Sequence, residues 1–168
     1  PLLMRLRARR PEAVIDAVAP PWVAPVLRRM PEVADVIEVD LRHGELQLGD
    51  RWRLARRLRE RGYDEAYVLP NTMKSALAPS FARIPLRVGY LGESRVGLLN
   101  RIHKAKKLRE PMALHYARLA EAPGTEPALP LPSPSLLSSA EATRATAATT
   151  APSTSAACHR RSWTCCPR

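Results

Sequence analysis

The sequence predicts an α/β fold built on a Rossmann-like parallel sheet. Short β-rich runs near residues 13, 35, 65 and 86 alternate with helical patterns, which is typical of βαβ units in a parallel sheet. Hydrophobic residues make up 45% of the 168 residues, which is enough for a buried core. No apolar run reaches the roughly 18 residues that a membrane span requires, so the composition argues against a transmembrane protein.

Two helices and two strands are predicted before residue 40. A basic amphipathic pattern predicts a helix over 2–10, which Pro11 ends. The β-rich run 13–18 predicts the first strand. Apolar residues spaced three and four apart predict a helix over 21–30, and the run 35–39 predicts the second strand.

The clearest helix covers residues 48–61 and ends at Gly62. One side of this helix carries the apolar residues Leu48, Trp52, Leu54, Ala55 and Leu58. Arg51 and Arg59 interrupt that apolar side. We interpret the arginines of residues 51–61 as a solvated face, with contact with an anionic membrane surface as the alternative.

Further strands and helices complete the pattern. The runs 66–69 and 86–90 predict two more strands, and Asn71 or Thr72 can cap a helix over 74–83 between them. A helical turn over 94–100 and a last helix over 112–119 follow. In a parallel sheet, the segments after these two strands lie at the carboxyl edge, where such folds bind their ligands.

The composition changes after Ala122. Residues 1–122 carry 23 Lys or Arg and 14 Asp or Glu, a net charge of +9, whereas residues 123–168 carry 4 and 2. The second segment contains no Lys, Val, Ile, Met, Phe or Tyr, so we predict a disordered tail rich in Ala, Ser, Thr and Pro. A frameshifted reading of GC-rich DNA is a hypothesis for its origin. Its three Cys are interpreted as free thiols, because their number and spacing suit neither a zinc site nor a disulfide framework.

Three ordered segments resemble the ADP-heptose:lipopolysaccharide heptosyltransferases, most closely the heptosyltransferase II type. These segments are residues 67–77, 84–90 and 92–100, and residues 19–22, 29–33 and 43–46 also match the family. The resemblance covers residues 1–120. It implies an inverting glycosyltransferase of the GT-B architecture, in which two Rossmann-like domains face each other across a cleft.

The resemblance also implies a reaction and a place for this chain in it. The family transfers L-glycero-D-manno-heptose from ADP-heptose to the lipopolysaccharide inner core, a Kdo-lipid A that bears heptose, and no cofactor or metal is expected. Residues 1–122 are then the N-terminal acceptor domain, while the first strand and the general base are expected before Pro1. We therefore expect two unpaired strand edges in the sheet, no donor domain, and an inactive isolated chain. Its expected location is the cytoplasm, peripheral at the inner face of the bacterial inner membrane.

Five residues are the candidates for binding the acceptor: Lys74, Arg87, Arg95, Asn71 and Ser75. Lys74 lies beside a predicted helix N-terminus that favours anions, and the acceptor implied by the resemblance carries carboxylates and phosphates. The two arginines can hold such groups bidentately, although a structural role explains each equally well. Asn71 and Ser75 are explained more simply as helix caps.

The alternative function is a basic nucleic-acid-binding module. The net charge of +11 supports this alternative in general terms. Aromatic residues make up only 5% of the chain, and the sequence has no helix-turn-helix, RNP or zinc-finger pattern. The resemblance therefore favours the enzyme, and we expect no nucleic-acid partner.

Overall fold

Six parallel strands form one sheet in the order β2-β1-β6-β3-β4-β5. The structure is a computed structural model that describes residues 1–41, 45–105, 111–127 and 161–165. The strands are β1 (Val14–Ala19), β2 (Asp35–Glu38), β3 (Glu65–Val68), β4 (Leu86–Tyr90), β5 (Arg101–His103) and β6 (Arg161–Cys165). The predicted α/β class with a parallel sheet is confirmed, although β5 and β6 were not among the predicted strands.

Helices connect the strands and cover both faces of the sheet. They are α1 (Leu2–Arg9), α2 (Ala24–Leu27), α3 (Leu48–Arg61), α4 (Met73–Phe81) and α5 (Met112–Ala117), and a 3₁₀ turn (Arg118–Ala120) follows the last. Helix α3 has the predicted bounds, because Gly62 adopts the left-handed conformation, with φ of 65°, that ends a helix. None of the helices in the described part of the chain has the length and hydropathy to span a membrane.

Alternating side chains of β3 enter a hydrophobic cluster on each face of the sheet, and a third cluster joins β1 and β2 to α2. On one face, Ala66 and Val68 of β3 pack in a cluster with Leu54 and Leu58 of α3. On the other face, Tyr67 packs in a cluster with Leu2, Leu6, Ile15, Val88, Tyr90 and Leu119. The period-two pattern of β3 therefore serves both cores, as a strand covered by helices on both sides requires.

The largest difference from the sequence prediction is strand β6. This strand lies between β1 and β3 and pairs in parallel with both. Val14 of β1 lies opposite Arg161, and Val68 of β3 lies opposite Cys165. The expectation of two unpaired edges is therefore wrong, and so is that of disorder throughout 123–168. Unpaired N–H and C=O groups inside a sheet are costly, and residues 161–165 supply partners for them. In the Rossmann order 3-2-1-4-5-6, β6 occupies the position of the first strand.

Polar contacts around buried Asp16 connect the strands near the amino edge of the sheet. Asp16 of β1 is 1% exposed, and its carboxylate accepts hydrogen bonds from the Tyr63 hydroxyl and, at 3.1 Å, from Arg61. Arg61 also donates to Asp35 at 2.6 Å. Burial, with Asp16 next in importance, raises the pKa of Tyr63 well above its ordinary value, so the phenol stays a donor. Because Tyr63 precedes β3, these contacts connect β3 with β1 and β2.

His103, the last residue of β5, generates a prediction about pH. Its ring is buried 5.9 Å from the Tyr90 ring, and Nε2 has no hydrogen-bond partner among the described residues. Burial, with a smaller contribution from the charge of Arg101, lowers the pKa of His103. Since the folded pKa lies below the unfolded one, neutral His103 contributes stability that is complete above about pH 6.5. This contribution is lost as the pH falls through the folded pKa.

We expect the free energy of unfolding to fall between pH 7 and pH 5, and His103→Leu to reduce that fall. Each unit of pKa depression corresponds to about 1.4 kcal/mol. Urea unfolding at a series of pH values gives the free energy of unfolding against pH for the unmodified chain and for His103→Leu. Parallel curves for the two proteins would show that His103 does not titrate between the folded and unfolded states as described.

Candidate functional site at the carboxyl edge of the sheet

Two loops meet at the carboxyl edge, one after β3 and one after β4. The two strands are neighbours, with Val68 opposite Gly89, so the chain leaves both at the same place. The loops touch directly, because a Cβ added at Gly92 would lie 2.3 Å from the carbonyl oxygen of Asn71. No real Cβ atom approaches an oxygen so closely, so glycine is required at position 92.

Arg95 fastens these two loops together from inside. Its side chain is 0% exposed, and its guanidinium donates to the carbonyl oxygens of Pro70 and Tyr90 and, at 3.5 Å, to the Ser75 hydroxyl. Burial lowers the pKa of Arg95. Gly89 leaves space beside Arg95 chiefly for its other neighbours, because an added Cβ would lie 2.9 Å from Cδ1 of Leu99 and 3.0 Å from the carbonyl oxygen of Val68. The geometry makes Arg95 a positioning residue, since its burial keeps the guanidinium away from ligands.

Lys74 lies in the first turn of α4, beside these loops. Its side chain is half-buried, and its ammonium has no hydrogen-bond or ion-pair partner among the residues that the structure describes. The backbone at this position is held by Arg51, whose Nη1 donates to the Lys74 carbonyl and whose Nε donates to the Leu46 carbonyl, both at 2.7 Å. The Lys74 side chain therefore projects from a fixed backbone.

Sequence reasoning missed the role of Arg51. Arg51 is 5% exposed, whereas Leu48 and Trp52 of the predicted apolar side are 55% and 57% exposed. The predicted packing face of α3 is thus wrong at its first turns, because carbonyls brought there by the fold draw the guanidinium inward. The signal in the sequence was the charge that interrupted the apolar side.

Ser75 and Asn71 differ in how they contribute to the loop after β3. The Ser75 hydroxyl donates to the carbonyls of Thr72 at 2.6 Å and Pro70 at 3.1 Å, so it stabilises the turn into α4. Thr72 holds the N-cap position, but its side chain makes no capping hydrogen bond. Asn71 is exposed and lies next to Gly92. Of these two candidates, Asn71 presents its side chain to solvent.

Arg87 lies away from Lys74. It is the second residue of β4, near the amino end of the strand, and it donates to the carbonyls of Leu98 and Ile84 at 2.6 Å each. Its backbone also exchanges hydrogen bonds with Asn100, which holds residues 94–100 against β4. These residues form turns and an isolated bridge, and the predicted helical turn is reduced to residues 95–99, where the Arg95 carbonyl accepts from the N–H groups of Leu98 and Leu99 at 3.1 Å each.

Some of the predicted features cannot be located. His43 and Gly44, which belong to one family-like segment, lie outside the described residues, as do Cys158 and Cys166. Among the described residues, no group of three His, Cys, Asp or Glu side chains is placed to hold a metal ion. The geometry at the carboxyl edge thus consists of Lys74 and Asn71 on loops that Arg51, Ser75 and Arg95 hold in shape.

The sheet defines a Rossmann-like α/β domain, a class of fold that binds its ligands beyond the carboxyl ends of the parallel strands. The chain belongs to glycosyltransferase family 9 (heptosyltransferase), whose family model matches residues 51–167. The family predicted from the sequence is confirmed.

Relatives of known identity support the same family. Lipopolysaccharide heptosyltransferase 2 of Escherichia coli K12 is 50% identical over 120 residues, which are 71% of this chain and 34% of that protein. Lipooligosaccharide heptosyltransferase 2 of Haemophilus influenzae is 48% identical over 119 residues, with the same two coverages. The chain therefore spans about a third of the length of the curated relatives it matches.

A solved structure supports the fold. The structure of E. coli ADP-heptose lps heptosyltransferase II matches with a TM-score of 0.70 and 39% identity, over 90% of this chain and 46% of that one. The predicted GT-B fold class is confirmed by this match. The 46% coverage of the solved chain agrees with one of the two domains of that architecture.

The contact between the two loops generates a prediction for Gly92→Ala. We expect the added methyl group to force the Asn71 loop away, with a loss of stability of about 1–3 kcal/mol, typical of overpacking. Gly49→Ala is the matched control, because nothing lies within 4 Å of its added Cβ and alanine favours the helix. Thermal unfolding of both variants provides the measurement. Equal melting temperatures for the two variants would contradict the close approach of the loops.

Proposed function

We propose that this chain forms the acceptor-binding half of an inverting heptosyltransferase. The proposed reaction transfers L-glycero-D-manno-heptose from ADP-heptose to the inner core of lipopolysaccharide. The 50% identity to lipopolysaccharide heptosyltransferase 2 over 120 residues carries this proposal. An inverting transfer needs a general base to deprotonate the attacking hydroxyl, and we assign that base to no residue of this chain.

The acceptor is proposed to bind at the carboxyl edge of the sheet, with Lys74 as its main charged contact. The support is geometric: an ammonium without a described partner lies in the first turn of α4, on a backbone that Arg51 fixes. The Kdo carboxylates and phosphates of the inner core match this charge. Exposed Asn71 is proposed as a hydrogen-bonding neighbour. We reassign Arg95 and Ser75 to positioning, and Arg87 to the support of residues 94–100.

In this proposal the chain orients the acceptor and leaves the chemistry of the donor to the rest of the intact enzyme. ADP-heptose is the proposed donor substrate. A fixed cation beside the acceptor limits its rotation, so that one hydroxyl faces the cleft. That the reaction uses no cofactor, and that an isolated chain is inactive, remain predictions.

Lys74 can be tested by titrating the full chain with deacylated core oligosaccharide. We expect Lys74→Met to weaken binding about ten-fold, because a hydrogen bond between charged groups contributes about 1.5–3 kcal/mol when buried and less when half-exposed. Arg57→Met removes the same charge from an exposed position of α3 and should leave the dissociation constant nearly unchanged. Calorimetry at physiological salt gives both constants.

The same titration with duplex DNA separates the two functional classes. Oligosaccharide binding that depends on Lys74, without DNA binding of similar strength, supports the transferase. Selective DNA binding with no response to oligosaccharide would reject the acceptor proposal and favour a nucleic-acid-binding module.

We further propose that α3 contacts the anionic inner face of the bacterial inner membrane, which makes the protein cytoplasmic and peripheral. The supporting observation is that Leu48, Trp52 and Arg56 are exposed at successive turns along one side of α3. Tryptophan favours the membrane interface, and each cation near an anionic surface contributes about 1 kcal/mol. This contact would bring the acceptor edge close to lipid-anchored substrate.

Membrane contact can be measured by sedimentation with vesicles of phosphatidylglycerol and phosphatidylcholine. We expect Trp52→Ser to lower the bound fraction several-fold, because the indole loses its interfacial position. Trp22→Ser is the control, since Trp22 is 68% exposed on a different segment. Equal loss in both variants would argue against α3 as the contact.

A further inference from the structure

Strand β6 differs from the other strands in how the chain reaches it. Strands β1 and β2 are successive in the chain and adjacent in the sheet, and so are β3, β4 and β5. Strand β6 comes last in the chain yet lies between these two groups. Removing it breaks no other described strand pairing and leaves the covalent connection from β2 through α3 to β3 intact.

The space that β6 fills is built by the rest of the described fold. Above one face, a single core cluster joins Val18 of β1 and Val68 of β3 to Leu58 of α3. Below the other face, Ile15 of β1 and Tyr67 of β3 share a second cluster. These clusters connect β1 and β3, which lie on either side of β6, through side chains of the surrounding helices.

A polar contact spans the same space at its amino edge. The Tyr63 hydroxyl, which precedes β3, donates to Asp16 of β1, and Arg61 donates to Asp16 and Asp35. These contacts fix the separation of the two strand groups independently of β6. The result is a slot with paired helices on both faces and two strand edges inside.

We propose that the slot between β1 and β3 is a strand-accepting site and that its occupant is the chain's own segment Arg161–Cys165, seated as an exchangeable complementing strand. The binding mode is parallel strand addition, in which main-chain hydrogen bonds supply the affinity. Five residues of β6 pair with β1 and four pair with β3. A strand bound on both sides gains two ladders at once, whereas an edge strand gains one.

The first test compares Trp163→Pro with Trp163→Val in the full chain. Both variants remove the indole, but only proline removes a backbone N–H in the middle of the strand. We expect hydrogen exchange of β1 and β3 to accelerate by about ten-fold or more in the proline variant alone, while β4 and β5 keep their protection. Loss of folding in the proline variant but not in the valine variant would overturn the proposal, because it would show that β1 and β3 do not hold the slot open without β6. Equal exchange in the two variants, whether both keep or both lose the sheet, would overturn it.

The second test adds the strand from outside. A synthetic peptide of residues 157–168 should bind the Trp163→Pro protein saturably and restore slow exchange in β1 and β3. A peptide of the same composition in scrambled order is the control. No restoration, or equal restoration by the scrambled peptide, would show that the slot does not accept a separate strand. Sedimentation of the unmodified chain should give a monomer, and a dimer that the proline substitution dissociates would overturn seating within one chain.

Discussion

The pairing of backbone groups in the middle of the sheet is the constraint on which the rest of the structure depends. Strands β1 and β3 are covered on both faces by helices, so water cannot satisfy their N–H and C=O groups. Strand β6 supplies hydrogen-bond partners to the facing edges of β1 and β3. The loop before Lys74 follows the end of β3. Arg95 holds this loop against the end of β4, because its guanidinium donates to carbonyl oxygens at both places. The position of the candidate site therefore depends on β3 and β4 staying paired in one continuous sheet.

Arginine has a second role in this fold, as a donor to backbone carbonyls. Arg51, Arg87 and Arg95 each bridge two carbonyl oxygens that do not belong to one regular element. Loops between strands and helices leave such oxygens without partners, and a planar guanidinium with five donors can satisfy two at once. A lysine ammonium lacks this fixed fork. The high arginine content thus serves loop geometry as well as charge.

Local patterns predicted elements well and contacts between elements poorly. The bounds of α3 followed from the apolar spacing and Gly62, because both act within a few residues. The burial of Arg51 did not follow, because its acceptors at Leu46 and Lys74 are brought together by the fold. Gly89 and Gly92 belong to family-like segments, but the structural reason for each glycine is a close approach made by the fold, of Leu99 and the Val68 carbonyl to Gly89 and of the Asn71 carbonyl to Gly92.

Strand β6 escaped prediction for a different reason. The composition of 123–168 measures whether that segment can fold by itself, and residues 161–165 do not need to, because β1 and β3 supply their partners. The short β5 was missed because its three residues carry too little pattern, although β4 pairs with it. A segment's own propensity is a weak guide wherever an existing edge can accept it.

In the proposed acceptor site, positive charge would act in two physically distinct ways. Arg51 and Arg95 are 5% and 0% exposed, so they contribute to the potential at the carboxyl edge but make no contact with a ligand. Their field reaches about 8 Å at physiological salt, which attracts any polyanion without selecting one. Lys74 is only half-buried, so its ammonium can touch an anion at this edge. In the proposed site, selection of a compact acceptor over an extended polyanion would come from the placement of Lys74 on a backbone that buried Arg51 holds, and not from the net charge of +11.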